Sequence, residues 1–170
     1  MKKFGNNQRD RFFIQKQTEK ISTEEKRVFS HEQNNISSRL KFNLSYFRPE
    51  SPGYDFSNLT PENLHVLIGK LKEYSKEPLI YWENQNNYEK YGNFPEEKSD
   101  FFHPESVPTE VSWGRFRIGR MERLVGFTVP QSHHGHKRSF GGKEYFLDYN
   151  TFYIVFLDLD HKFYITSRKK

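Results

Sequence analysis

The stretch that decides the fold is TFYIVFLDLDHKFY, Thr151–Tyr164. From Thr151 to Leu157 apolar residues fill both alternating sides of the chain. The run then breaks into Asp158, Asp160, His161, Lys162 and Tyr164. Strict alternation marks a strand with one wet face, whereas a short run apolar on both sides marks a strand covered on both. Thr151–Leu157 is therefore expected to be a buried strand. The polar cluster after it falls where that strand leaves the sheet, either as a hairpin turn rich in Asp or as the edge of a cleft. KFYIT, from Lys162, is short and strand-like enough to be a further strand.

Working upstream, VSWGRFRI (Val111–Ile118) and RLVGFTV (Arg123–Val129) are two short strand-like runs joined through GRME, as in a hairpin. Alternation puts Trp113, Arg115 and Arg117 on one face and Phe116 and Ile118 on the other, which is expected to face the core. Between Val129 and Thr151 lies a long polar connection, PQSHHGHKRSFGGKEYFLDYN, of the kind that is either functional or disordered. Residues 93–110 read as a loop interrupted by Pro95, Pro104 and Pro108. Before it, Thr60 is a good N-cap, Pro61 suits the first helical position, and Leu64, Leu67, Ile68, Leu71 and Tyr74 recur at helical spacing. A second helix is expected from Pro78 to a terminal Gly92. RLKFNLSYF, from Arg39, alternates as a half-buried strand.

These elements give an α+β domain over residues 36–170: a strand, two helices, then a mainly antiparallel β-meander with a long loop at 130–150. Residues 1–35 are polar and basic and read as a tail or arm.

Only 34% of the 170 residues are hydrophobic, yet 17% are aromatic, so the core is expected to be built from rings. There is no cysteine, which excludes disulfides and thiolate zinc sites. No segment approaches the roughly 18 apolar residues of a membrane span, and MKKFGNNQRDRFF lacks the apolar centre of a secretory signal. A cytoplasmic protein with no membrane association is expected. Net charge is +5, unevenly placed. Residues 1–35 hold 8 basic and 5 acidic side chains, residues 36–110 hold 8 and 12, and residues 111–170 hold 11 and 5. A basic C-terminal part either attracts a polyanion, with RNA the natural candidate, or simply keeps the chain in solution.

Three constellations carry chemistry. Trp113, Arg115, Arg117, Arg120 and Arg123 gather guanidinium groups beside an indole, suited to phosphates and stacked bases, although an ordinary solvated sheet face has the same look. His133, His134 and His136, followed by Lys137 and Arg138, invite a metal reading. The adjacent cations and the spacing favour instead a loop that touches RNA or water, so no metal and no cofactor is expected. In the terminal cluster His161 is the natural general acid or base. Lys162 and nearby arginines suit stabilisation of a pentacovalent phosphate.

Taken together, SWGRFRIGRMERLVGFTV (Ser112–Val129) and TFYIVFLDLDHKFY resemble the closing β-meander of the RelE/ParE-like toxin superfamily, including its HigB and YafQ branches, over the C-terminal half. LKFNLSYF (Leu40–Phe47) with the same ending resembles, more closely, a group of uncharacterised bacterial proteins that end in FYIVWLDPDHKLY-like sequence. The toxin resemblance implies a metal-independent endoribonuclease of a toxin–antitoxin or antiphage system. Such an enzyme acts on RNA, often ribosome-bound messenger, by attack of a ribose 2′-hydroxyl, and is held in check by a cognate antitoxin protein. Arg115 and Arg117 match its R-x-R strand, Arg123 the start of the next strand, and His161 with Tyr164 its terminal polar pair. The implied catalytic set is His161, Arg117, Arg123 and Tyr164. Arg115, Trp113, Arg120, Lys137, Arg138 and Lys162 are left to bind RNA. The alternative is a binding module for RNA or a protein, without catalysis.

Overall fold

The computed structural model describes residues 36–166. The arm expected at 1–35 lies outside the described residues. The chain divides between Ser38 and Arg39, and every strand and α-helix described belongs to the second part. That part is α+β, as expected. Strands β1 (Lys41–Asn43), β2 (Tyr88–Gly92), β3 (Ser112–Arg117), β4 (Arg123–Thr128) and β7 (Thr151–Asp158) form one sheet in the order β1-β7-β4-β3-β2. Strands β5 (Lys137–Phe140) and β6 (Lys143–Phe146) form a separate hairpin. All pairings are antiparallel except β1 with β7, which is parallel.

Helix α1 (Pro61–Tyr74) begins as the sequence predicts, with the Thr60 hydroxyl accepting from the Asn63 amide at 3.2 Å and Pro61 in the first turn. Its apolar stripe is only partly used. Leu67 and Tyr74 are buried, whereas Leu64 and Ile68 stay exposed. Helix α2 (Leu79–Asn84) is much shorter than expected and does not reach Gly92. Asn86 adopts a left-handed φ of 57°, its amide reaches the Glu83 carbonyl at 3.1 Å, and the Asn87 amide reaches Trp82 at 3.0 Å. This paired closure ends a helix with Asn in the place usually taken by glycine. The residues behind it become β2, an edge strand that the sequence reading missed. RLKFNLSYF likewise yields only three strand residues, because the Asn43 carboxamide accepts from the Ser45 amide at 2.8 Å and turns the chain. KFYIT forms no strand. It is tied to the loop before β3 by single backbone bonds, Asp100 to Lys162 and Ile165 to Lys98.

The sheet is covered on both faces. On one, α1 and α2 bring Leu67, Tyr74, Leu79 and Trp82 onto Phe116, Leu124, Phe152 and Ile154. On the other, Phe101 and Val107 from the irregular segment before β3, and Phe163 from the segment after β7, pack on Trp113, Val125, Phe127 and Phe156. Two buried faces explain why β4 is buried at every residue and why β7 reads as a continuous apolar run. Gly114 has a steric reason: a Cβ there would overlap the Tyr88 ring, which lies across β3 and is 2% exposed. No helix among the described residues is long and apolar enough to cross a membrane.

Candidate functional site

The end of β7 organises the site. Asp158 is fully buried, and its carboxylate takes three backbone amides, Asp160 at 3.2 Å and Lys162 at 3.0 Å on one oxygen and Phe163 at 2.9 Å on the other. A carboxylate gathering amides in this way shapes a tight loop. Its consequences are that the Phe163 ring enters the core with no exposure and that His161, at the apex, sits at φ 61°. Left-handed backbone is unfavourable for a side-chain-bearing residue and is held here by the Asp158 bonds around it.

The imidazole so placed meets β3. Arg115 Nη1 lies 3.2 Å from His161 Nδ1 and 3.3 Å from Nε2. Across the β2–β3 pairing, Glu89 is Arg115's register partner, and one carboxylate oxygen takes Arg115 Nε at 3.1 Å and Nη2 at 2.6 Å. Burial, reinforced by the guanidiniums of Arg115 and Arg123, holds His161 below the usual histidine range, so the ring is neutral at pH 7. The guanidinium of Arg115 also lies over the Tyr91 ring at 5.6 Å. Tyr91 stacks on Tyr164 at 4.6 Å, and Lys98 Nζ sits 4.9 Å over Tyr164's ring while donating to its hydroxyl at 3.0 Å. That hydrogen bond to Tyr164 raises Lys98 above its ordinary range and keeps it an ammonium. Burial pushes the Tyr91 phenol up, so it stays protonated. Glu89, Tyr91, Lys98 and Tyr164 line a cleft of about 600 Å³ together with Lys90, Asn93 and Pro95.

The expected site residues separate into three groups. His161, Arg115 and Tyr164 are brought to this end of the loop-covered face, although Arg115's charge is already shared with Glu89. Arg117 follows on the same face, exposed, and Arg123 is its register partner. Arg123 is 5% exposed, and its guanidinium is spent on the carbonyls of Gly119, Arg120 and Glu122 at 2.9–3.3 Å. It closes the β3–β4 turn with Nη1 and Nη2 on backbone carbonyls, and at this burial its contacts are those of a structural side chain and not of the catalytic residue expected. Trp113 is also corrected: it is 1% exposed and sandwiched among Phe94, Phe156 and Phe163, so it has no face for a base. The face taken as solvated is covered by the segment before β3. Lys162 is tied to Asp160 at 2.6 Å, and the Tyr54 hydroxyl donates to the same carboxylate oxygen at 2.8 Å. Arg120 is exposed at the turn.

The 130–150 connection is not an open loop. It carries the β5–β6 hairpin, in which Lys137 and Arg138 fall on opposite faces, and Lys137 pairs with Glu144. The histidines form its base: His134 Nδ1 accepts the Tyr149 amide at 3.1 Å, and the His133 and His136 rings lie 5.4 Å apart. Among the described residues no group of three or more His, Cys, Asp or Glu side chains is placed to hold a metal ion.

Glu89, Tyr91 and Lys98 were missed. The first two lie on the unrecognised strand β2, and Lys98 lies in a segment read only as loop. Tyr88 and Tyr91 stand at helical spacing and give no strand alternation, so the Asn-rich stretch before them was the only signal available. Comparison with protein-family models, curated proteins and solved structures finds no match for this chain.

Proposed function

We propose that this chain binds RNA and cleaves it without a metal, at the Arg115–His161 site, as a RelE-like toxin or defence effector does. The observation that carries the reading is the neutral His161 imidazole, fixed at φ 61° and set against a guanidinium beside a cleft lined by Lys98 and Tyr164. A base that is unprotonated at working pH, placed beside fixed positive charge, is what 2′-hydroxyl attack requires.

In this mechanism His161 takes the 2′-hydroxyl proton as the 2′-oxygen bonds to phosphorus. Arg115 and the Lys98 ammonium offset the charge that builds on the phosphoryl oxygens. The bond from phosphorus to the 5′-oxygen breaks, and that oxygen leaves with a proton from the Tyr164 phenol, whose oxygen is already polarised by Lys98. The products are a 2′,3′-cyclic phosphate and a 5′-hydroxyl end. His161 then returns its proton to water, and Tyr164 recovers one. An antitoxin suited to this surface is an acidic segment laid over the arginines of β3.

A second reading, RNA binding without cleavage, draws on the Glu89–Arg115 contacts, which already neutralise the cation nearest the imidazole. Induction of wild type and His161→Ala in a bacterial host, with growth and RNA integrity followed together, separates the two. Growth arrest and RNA cleavage that vanish in the variant support catalysis. Intact RNA with folded, abundant protein in both cultures removes it.

A further inference from the structure

The β5–β6 hairpin stands outside both cores, and all eight of its strand residues are exposed. Phe140 is 81% exposed, Phe146 65% and Tyr145 52%. An isolated two-stranded ribbon is marginal, and leaving rings in water forfeits the stabilisation that burial gives. A cluster of exposed rings of this kind marks an interaction surface.

The register sorts its side chains. Arg138 is opposite Tyr145 and Phe140 is opposite Lys143, and residues directly opposite share a face of the ribbon. One face therefore carries Arg138, Phe140, Lys143 and Tyr145, a cation beside each ring and no acid. The hairpin's single acid, Glu144, lies on the other face, held by Lys137. Among the described residues neither Arg138 nor Lys143 has a carboxylate partner in an ion pair. Arg138 donates only to the neighbouring Lys137 carbonyl at 3.1 Å.

We infer that this face binds single-stranded nucleic acid, RNA under the function proposed above: Phe140 and Tyr145 stack on unpaired bases while Arg138 and Lys143 contact the flanking phosphates. The inference rests on the RNA reading but uses residues that take no part in the chemistry. Charge selects the polyanion, since two unpaired cations and no acid face outward. The rings select an unpaired strand, because bases inside a duplex have no free π-face to offer.

The test is fluorescence anisotropy with a labelled single-stranded RNA of mixed sequence bearing 2′-O-methyl groups, which cannot be cleaved by 2′-hydroxyl attack. The duplex form and a DNA strand of the same sequence serve as comparisons. The full chain is compared with Phe140→Ala, Tyr145→Ala, the pair Arg138→Gln/Lys143→Gln, and His161→Ala. Each ring removed is expected to weaken binding roughly 5- to 150-fold. The double glutamine variant is expected to lower the slope of log affinity against log salt by about 1.4, at ~0.7 per phosphate contact. His161→Ala serves only to report cleavage, and Lys72→Gln, an exposed cation on α1 outside both sites, is the control expected to bind as wild type. All the replaced hairpin side chains are solvent-facing, and circular dichroism with thermal melting checks that each variant is folded.

Unchanged affinity in both ring variants overturns the inference while leaving RNA binding intact. Tighter binding of duplex than of single strand also overturns it. Hairpin-dependent sedimentation with phosphatidylserine vesicles, without oligonucleotide binding, would assign the face to lipid instead. Loss of cleavage in His161→Ala with hairpin-dependent binding retained supports both proposals. Hairpin-dependent binding by a wild type that never cleaves RNA supports this one and removes catalysis.

Discussion

Asp158→Asn isolates the group that builds the site while barely changing its shape. In the native loop one carboxylate oxygen accepts from the Asp160 and Lys162 amides and the other accepts from Phe163, with Asp158 and Phe163 themselves fully buried. Asparagine keeps one acceptor, enough for the first pair, but turns an NH₂ toward the Phe163 amide. A hydrogen bond to a charged group contributes ~1.5–3 kcal/mol, and a buried donor without an acceptor costs ~1–3 kcal/mol. Some of that penalty is shared with the lost bond, so the expected loss is about 2–4 kcal/mol. At ~2–4 °C per kcal/mol for a domain of this size, the melting midpoint falls by roughly 4–16 °C. Urea unfolding followed by tryptophan fluorescence reads the change directly, because Phe163 packs against Trp113 with ring centroids 5.8 Å apart. A loss below about 0.5 kcal/mol, within the range of an ordinary surface change, would refute the claim that Asp158 organises the loop.

The two arginines of one register pair are expected to behave differently. Arg123→Met removes the donor shared by the carbonyls of Gly119, Arg120 and Glu122, costing about 1–3 kcal/mol, whereas Arg117→Gln stays within about 0.5 kcal/mol in the same urea titration. His161 gives a pH signature. Its folded-state pKa lies below the unfolded value of 6.5, so the unfolded chain binds the extra proton and stability falls as pH drops from 7 toward 5. The difference in unfolding free energy between wild type and His161→Gln should show wild type losing more over that window. Equal slopes would mean the ring is not held neutral. Gly114→Ala drives a methyl into the Tyr88 ring and is expected to cost ~1–3 kcal/mol, seen as a lower urea midpoint, and an unchanged midpoint would place the ring elsewhere.

The sequence made the sheet's interior legible where the physics is local. The apolar run of β7, the β3–β4 hairpin and the Thr60–Pro61 start of α1 all follow from periodicity and capping. What escaped depends on tertiary context. β2 was hidden behind a helix expected to run to Gly92, because the stop signal is Asn86 in a left-handed conformation that composition alone does not reveal. The burial of Trp113 was missed because its cover is an irregular, proline-broken segment, yet Phe94, Phe101 and Val107 in that segment are the apolar residues a covering layer needs. Arg123 looked catalytic for the same reason that it is structural: a guanidinium with several donors at a turn serves a phosphate or three carbonyls equally well. The cluster at the end of β7 is a turn, but not the hairpin turn weighed for it, since no strand follows among the described residues. Asp158 and Asp160 are turn residues, and the turn they make carries His161 to Arg115.

The most direct test is cleavage in vitro of an oligonucleotide with one ribose among deoxyriboses, in the presence of EDTA, by wild type and by His161→Ala of matched stability. Wild type is expected to give a 2′,3′-cyclic phosphate product, sustained somewhat below pH 6.5, and the variant none. Equal cleavage by both proteins, or none by folded wild type across pH 5–9 on RNA substrates of varied sequence, would contradict catalysis by His161.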